Sequence, residues 1–299
     1  MTVRFGTDGA GHEKRAVAVG VFDGVHIGHR DILRAACGEK ERGLVPAVLT
    51  FSGMDAAGIK PFRRIFGRAE MENHLSEAGV EETFVLDFSE IRNMDCGTFV
   101  RDVLVGRLNA ETAVVGEGFR FGRSRSGGAE LLRDLMHEAG RECLVVPDRV
   151  SDGETVSSSG IRALLENGEI EKANRWMGHP MIWTLPVSSG AGLGRTIGYP
   201  TLNQRIPEDR VLPKFGVYEA AADTGEGIFR GLCNVGVKPT VGGTVPLLET
   251  YLDGFSGTLY GRTVTVSLFR FLRPERKFHD IGELKEQIGR DISEAFLRG

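Results

Sequence analysis

The chain has 299 residues, 41% of them apolar, and a formal net charge of −4, which allows about two domains with ordinary cores and offers no basic tract to argue for nucleic acid. Its four cysteines, Cys37, Cys96, Cys143 and Cys233, are too scattered for a zinc site and read as reduced thiols. No stretch approaches the ~18 apolar residues of a membrane helix and the N-terminus lacks the apolar region of a secretory signal, so a cytoplasmic protein is expected, monomeric or weakly self-associating, with neither membrane nor nucleic acid as partner.

Residues 1–15 read as an irregular lead-in. The stretch AVAVGVFDGVHIGHRDIL, 16–33, then reads as a strand, a glycine-marked turn and the start of a helix. Ala16–Val19 shows no polar alternation, as in a parallel strand covered on both faces. The turn holds Asp23, His26 and His29 among Gly20, Gly24 and Gly28. A helix starting near His29 puts Ile32, Leu33 and Ala36 on one side. A ligand over this turn meets backbone N–H groups, two imidazoles and a helix N-terminus, a setting that suits phosphate. The competing reading is a tight connection and nothing more, since neither the dinucleotide fingerprint nor the phosphate-loop pattern fits.

Strands are expected at 44–51, 83–88, 112–115 and 143–146, and helices at about 67–79, 96–108 and 129–139. That alternation predicts a mostly parallel sheet covered by helices, with ligands beyond the carboxyl ends of its strands. The loop 116–128 carries Arg120, Arg123 and Arg125, either a solvated basic loop or a phosphate rim. Ser157, Ser158 and Ser159 precede a helix with Ile161, Leu164 and Leu165 inward. They can cap it or, with Arg162, bind phosphate.

Pro180 and Pro186 interrupt helical structure, and a domain boundary is expected near 181, separating 1–180 from 181–299. Short extended segments at 216–222, 229–235, 246–252 and 262–269 favour an antiparallel barrel. A helix over 280–297 would turn Leu284, Ile288, Ile292 and Phe296 onto it. In GAGLGRTIGYPTLN, 190–203, the glycines allow a close-fitting loop, Arg195 can meet phosphate, and Thr201 and Asn203 offer oxygens to a hard cation such as magnesium. A glycine-rich connector is the alternative there. Glu249 by itself reads as a surface glutamate on an alternating strand.

Two sets of motifs carry a family resemblance. GVFDGVHIGH, 20–29, resembles the nucleotidyltransferase signature of the bacterial bifunctional riboflavin kinase/FMN adenylyltransferases. The resemblance implies that His26 and His29 stabilise nucleotide phosphates and that Gly20, Phe22, Asp23 and Gly24 form the nucleotide-binding turn. TVSSSGIR, 155–162, is similar to the second signature, which implies phosphate binding by Ser157, Ser158, Ser159 and Arg162. Arg120 lies in a matching segment that in the family has Asn or Asp where this chain has Gly118. The Pro-His-Pro-like run usual after the second strand is replaced by Ser52, Gly53, Met54 and Asp55.

The second half resembles the family's riboflavin kinase signature at 194–203, which implies ligand contacts for Gly194, Arg195, Thr196, Gly198, Pro200, Thr201 and Asn203. Thr201 and Asn203 match the residues that contact magnesium–ATP, and Leu202 replaces the usual alanine. NVGVKPT, 234–240, matches a segment in which Lys238 stands for arginine, so that Asn234 and Lys238 are implied contacts. Arg273 opens the matching run RPERKF, and LETYLDGF, 248–255, matches the glutamate-bearing strand, which implies that Glu249 is the general base.

The fold implied is a Rossmann-like α/β nucleotidyltransferase domain with a parallel sheet, followed by an antiparallel riboflavin-kinase β-barrel with a C-terminal helix. The activity implied is magnesium- and ATP-dependent conversion of riboflavin to FMN, then of FMN to FAD with release of pyrophosphate. Two further readings remain open. One is a riboflavin kinase whose adenylyltransferase domain is altered or inactive, motivated by Gly118 and Ser52–Asp55. The other is a non-enzymatic flavin- or nucleotide-binding protein.

Overall fold

The computed structural model describes residues 1–7, 11–53, 63–189, 193–240 and 243–296, without the side chains of Leu193, Arg195, 238–240 and 243. The chain divides into two compact units, Met1–Phe62 with Met71–Ser157, and Arg63–Glu70 with Ser158–Gly299.

The first unit is built on β1 (Thr2–Phe5), β2 (Arg15–Val19), α1 (Ile27–Gly38), β3 (Val45–Ser52), β4 (Glu82–Asp87), β5 (Ala110–Gly116), α2 (Ala129–Glu138) and β6 (Glu142–Val146). Six strands form one sheet in the order β1-β4-β3-β2-β5-β6, and every neighbouring pair is parallel. Every residue of β2 is buried, as its unbroken apolar pattern requires in a sheet covered on both faces. Even Arg15 is fully buried, with Nε donating to Glu82 at 2.6 Å and Nη1 to the carbonyls of Glu13 and Leu108.

Two expectations change in this unit. The lead-in is not irregular throughout, because Thr2–Phe5 pairs in parallel with β4 at the sheet edge. Its ends are exposed, so no apolar run betrays it. The helix at 96–108 is not a regular α-helix either. After one turn at Cys96–Thr98 the chain winds as a π-helix through Phe99–Arg107, closed by a five-residue bond from Leu108 N to Val103 O of 3.1 Å. The wider turn buries Phe99, Val100, Val103 and Leu104 together. Strand order reverses at β2, between β3 and β5. The histidine turn leaves the carboxyl end of β2, where open α/β sheets take their ligands.

The second unit contains α3 (Ser158–Asn167), α4 (Ile170–Met177), β7 (Met181–Pro186), β8 (Thr201–Arg205), β9 (Gly216–Asp223), β10 (Ile228–Thr240), β11 (Gly243–Leu252), β12 (Thr263–Pro274) and α5 (Ile281–Phe296). Its six strands run β7-β12-β9-β10-β11-β8, all antiparallel. The sheet curls until its two edges meet. Ser188 N donates to Asn203 O at 2.8 Å, and the buried Gln204 Nε2 bridges the carbonyls of Leu185 (2.7 Å) and Val264 (2.8 Å). β7 and β8 were not expected as strands, since prolines border one and the other is the polar run TLNQR.

The segment Arg63–Glu70 is clamped into this unit. Glu70 and Arg210, 2% and 3% exposed, pair at 3.2 Å. Thr184 N donates to Glu70 at 2.8 Å and Arg210 Nη2 to Ile65 O at 2.9 Å, so both ions are further hydrogen-bonded, as buried charges require. Ile292, Ala295 and Phe296 of α5 pack against Val217 and Leu232 of the sheet.

Candidate active sites

In the histidine turn, Phe22 (φ 53°) and Val25 (φ 36°) sit in left-handed backbone conformations beside Gly24 (φ 79°). Such conformations in bulky side chains store about 1–3 kcal/mol each, held here by complete burial of both. The Phe22 ring packs where a Cβ on Gly20 would come within 3.2 Å, and the His26 ring lies 3.3 Å from where a Cβ on Gly28 would be. These two glycines make room for rings.

His26 caps α1, its Nδ1 accepting from His29 N at 3.3 Å. The two imidazoles stack at 3.6 Å with planes 19° apart, and Phe22 meets His29 edge-on at 5.2 Å. Burial, then the neighbouring His26, holds the His29 pKa well below the ordinary imidazole value. His29 Nδ1 is buried without a hydrogen-bond partner among the described residues. The turn thus presents a neutral imidazole with an unused nitrogen at a helix N-terminus. Asp23 is buried in the same turn. Arg120 is exposed on a small hairpin, Arg120–Phe121 against Gly127–Gly128, and its guanidinium occupies the space a Cβ on Gly128 would need. Gly118 faces open space, with only Asp148 Oδ1 at 4.0 Å from a Cβ placed there. Ser52 ends β3, and Met54 and Asp55 lie outside the described residues.

Ser158 opens α3, with Ser157 just before it and Ser159 exposed on its first turn. Arg162 Nε donates to Arg63 O at 2.8 Å.

The second site is a row. Strand register places Asn203 opposite Glu249, Glu249 opposite Asn234, Asn234 opposite Val217, and Val217 opposite Arg273. Directly opposed residues of antiparallel strands share one face. Side chains up to 70 positions apart therefore stand side by side across β8, β11, β10, β9 and β12, and all line one cavity of about 490 Å³. Gly194 and Thr201 line it too.

Asn203 is 5% exposed, and its Oδ1 has no hydrogen-bond partner among the described residues. An orphaned, cavity-lining amide oxygen two residues from Thr201 fits a hard-cation ligand. Among the described residues no cluster of three His, Cys, Asp or Glu side chains exists to hold a metal. A hard cation whose shell is completed by phosphates and water needs only a few protein oxygens. The Glu249 carboxylate is half-buried and makes no hydrogen bond to a described residue. Tyr251, opposite Thr201, meets Tyr199 edge-on at 5.5 Å. Burial, then its hydrogen bond to Asp253, pushes the Tyr251 hydroxyl up to about 12.

Gly194 begins the turn before β8, closed by Tyr199 N donating to Gly194 O at 2.8 Å. A Cβ on Gly194 would collide with the Tyr199 carbonyl. Gly198 takes φ +88° in the same turn, and Thr196, Gly198 and Pro200 are exposed, outside the cavity lining. The side chains of Arg195 and Lys238 lie outside the described residues. Arg273 lines the cavity, but its Nε and Nη2 are committed to Asp291 at 2.8–3.0 Å.

Comparison with known proteins agrees with both halves. The riboflavin kinase family model matches residues 177–296, and the FAD synthetase model residues 9–160. The chain belongs to the bifunctional riboflavin kinase/FMN adenylyltransferase family. The Bacillus subtilis bifunctional riboflavin kinase/FMN adenylyltransferase is 34% identical over 94% of this chain and 92% of its own length. The proteins of the same name from Haemophilus influenzae and Escherichia coli K12 are 32% and 34% identical, with the same coverage. A solved structure described as a macrolide-efflux protein from Streptococcus pneumoniae superposes with a TM-score of 0.89 at 28% identity over 99% of both chains. Among the described residues no helix is long and apolar enough to cross a membrane. Family membership brings kinase and adenylyltransferase chemistry on flavins in general.

Sequence reasoning did not single out Glu275 or Tyr199, which line the same cavity. Glu275 stands inside the run RPERKF, but only the folded sheet brings it to Asn234.

Proposed function

We propose that residues 181–299 transfer the terminal phosphoryl group of ATP to the ribityl primary hydroxyl of riboflavin, giving FMN. Residues 1–180 then join FMN to the AMP part of a second ATP, giving FAD and pyrophosphate. The row Asn203–Glu249–Asn234 along one cavity is the observation that supports this reading most. Glu249 accepts the proton of the hydroxyl as the phosphoryl group arrives. Thr201 and Asn203 would hold a magnesium ion, which supplies charge neutralisation for the transferring phosphates. Gly194, with Arg195, Thr196, Gly198 and Pro200, shapes the loop over the nucleotide.

At the first site, His26 and His29 stabilise charge on the phosphates of ATP. A neutral His29 takes up a proton from solvent as the phosphates approach, so that both ring nitrogens become donors. The turn residues Gly20, Phe22, Asp23 and Gly24 shape the nucleotide contact, and Arg120, Ser157, Ser158, Ser159 and Arg162 carry their phosphate assignment from the motif resemblance alone. A cytoplasmic setting and a monomer or weak homo-oligomer belong to the same proposal.

The open space at Gly118 favours a second reading, a kinase whose adenylyltransferase half is altered. Incubation with riboflavin, ATP and magnesium, with products separated by chromatography, tests both. FMN followed by FAD supports the bifunctional reading, and FMN that never proceeds to FAD supports the second. Flavin or nucleotide binding without either product would sink both and leave a binding protein.

A further inference from the structure

Asn234, the neighbour of Glu249 across the strand pair, does not have a freely turning amide. Its Nδ2 donates to Glu275 Oε1 at 3.0 Å. Two residues on along β10, and so on the same face, the buried Gly236 has no side chain. A Cβ there would collide with Glu275 Oε1 and come within 3.3 Å of Asn234 Nδ2. Gly236 does not have a positive φ, so its role is to leave space for the carboxylate. Asn234, Gly236 and Glu275 all line the cavity.

The order of the row gives the substrate a direction. The proposed cation ligands are on β8, the base on β11, and Asn234 on β10. A hydroxyl over Glu249 faces its phosphorus on the Asn203 side, so the rest of the acceptor leads away over β10. Neighbouring strands are about 4.8 Å apart, a spacing that two hydroxyls on adjacent carbons can span with a hydrogen bond at each end. With one Nδ2 hydrogen given to Glu275, the amide is fixed in orientation and Asn234 keeps its Oδ1 as an acceptor for a cavity ligand.

We propose that Asn234, fixed by Glu275 in the space left by Gly236, is a specificity-determining residue that accepts a hydrogen bond from the hydroxyl next to the one being phosphorylated. Glu275 is a positioning residue. The site thereby selects a vicinal polyol chain over a simple alkanol carried on the same ring. This rests on the kinase reading above.

The test compares kcat/KM for riboflavin with that for a flavin bearing a 5-hydroxypentyl chain, which keeps only the terminal hydroxyl. A site that pairs with a hydroxyl discriminates against the analogue lacking it, and a preference of roughly tenfold for riboflavin is expected from one such bond. Glu275→Ala and Gly236→Ala should erase most of that preference through a higher KM for riboflavin, with the hydroxypentyl flavin little changed. Glu275→Gln, whose amide oxygen accepts the same bond, should restore it. Glu275 is exposed, so its Ala variant should unfold at the wild-type temperature and keeps the test valid if Gly236→Ala does not fold. An active wild type that handles both flavins equally, or an undiminished preference in Glu275→Ala, overturns the assignment and leaves the kinase reading standing. A wild type that forms no FMN overturns both.

Discussion

In the first half of the chain the central candidate residues come from ten consecutive positions, 20–29, and their geometry is held by a strained, buried turn. In the second half they come chiefly from four strands between residues 201 and 273, and their geometry is held by register. The turn packs two imidazoles at 3.6 Å by local backbone shape, so its chemistry is concentrated but depends on a few unfavourable dihedrals. The row distributes its groups over a sheet that many hydrogen bonds fix. A single side chain can be changed there without disturbing the scaffold. Local sites are conspicuous in sequence, whereas register sites are better insulated from one another.

The comparison can be broken most sharply at Glu249. Glu249→Gln should lower the riboflavin phosphorylation rate by roughly 10²–10⁴-fold, as expected for loss of a general base, while FAD formation from supplied FMN is unchanged. A full kinase rate in that variant would remove Glu249 from the mechanism. His29→Ala is the converse experiment. FAD formation should fall by roughly 10²–10³-fold, the scale of a lost charge-stabilising donor, with FMN formation intact. Equal losses in both activities would show that the two sites are not independent.

The buried Glu70–Arg210 pair tests the scaffold behind the row. Glu70→Gln removes one ion and leaves Arg210 3% exposed and uncompensated, for a loss of about 3–5 kcal/mol. Denaturant unfolding should register it, and a change below about 1 kcal/mol would mean the clamp is dispensable. Asn203→Ala removes the orphaned Oδ1. The magnesium concentration for half-maximal kinase rate should rise roughly tenfold or more, and an unchanged magnesium dependence would argue against the cation assignment.

The smallest effect is one of pH. Burial and His26 lower the His29 pKa from 6.5, so the unfolded chain binds this proton more readily than the folded one. Stability from a neutral His29 is full above its unfolded value and is lost as pH falls toward the lowered folded value. Melting temperatures should therefore drop between about pH 7 and pH 5, and drop less in His29→Gln. The proposed proton uptake predicts that ATP binding heats at neutral pH vary with the ionisation enthalpy of the buffer.

Several elements were legible before folding. The unbroken apolar run of β2, the glycines of the turn and the every-fourth-residue apolar pattern of α5 each follow from local composition. β1 was missed because its ends face solvent, and β7 and β8 because proline and polar residues conceal strands whose partners lie far along the chain. The Phe99–Arg107 winding was missed because α- and π-turns share nearly the same apolar spacing.

For the sites, motif resemblance named Glu249, Asn203, Thr201 and Asn234 without saying that they stand in one row. It offered Arg273 as a ligand contact, and the fold engages that guanidinium with Asp291. The sequence by itself determined the two-part α/β-then-β plan, the histidine turn and the residue types of the phosphoryl-transfer chemistry, because these depend on local pattern. Tertiary structure alone decided the neutral state of His29, the orphaned oxygen of Asn203, and the hold of Glu275 on Asn234. Each of these depends chiefly on burial or on contacts between residues distant in the chain.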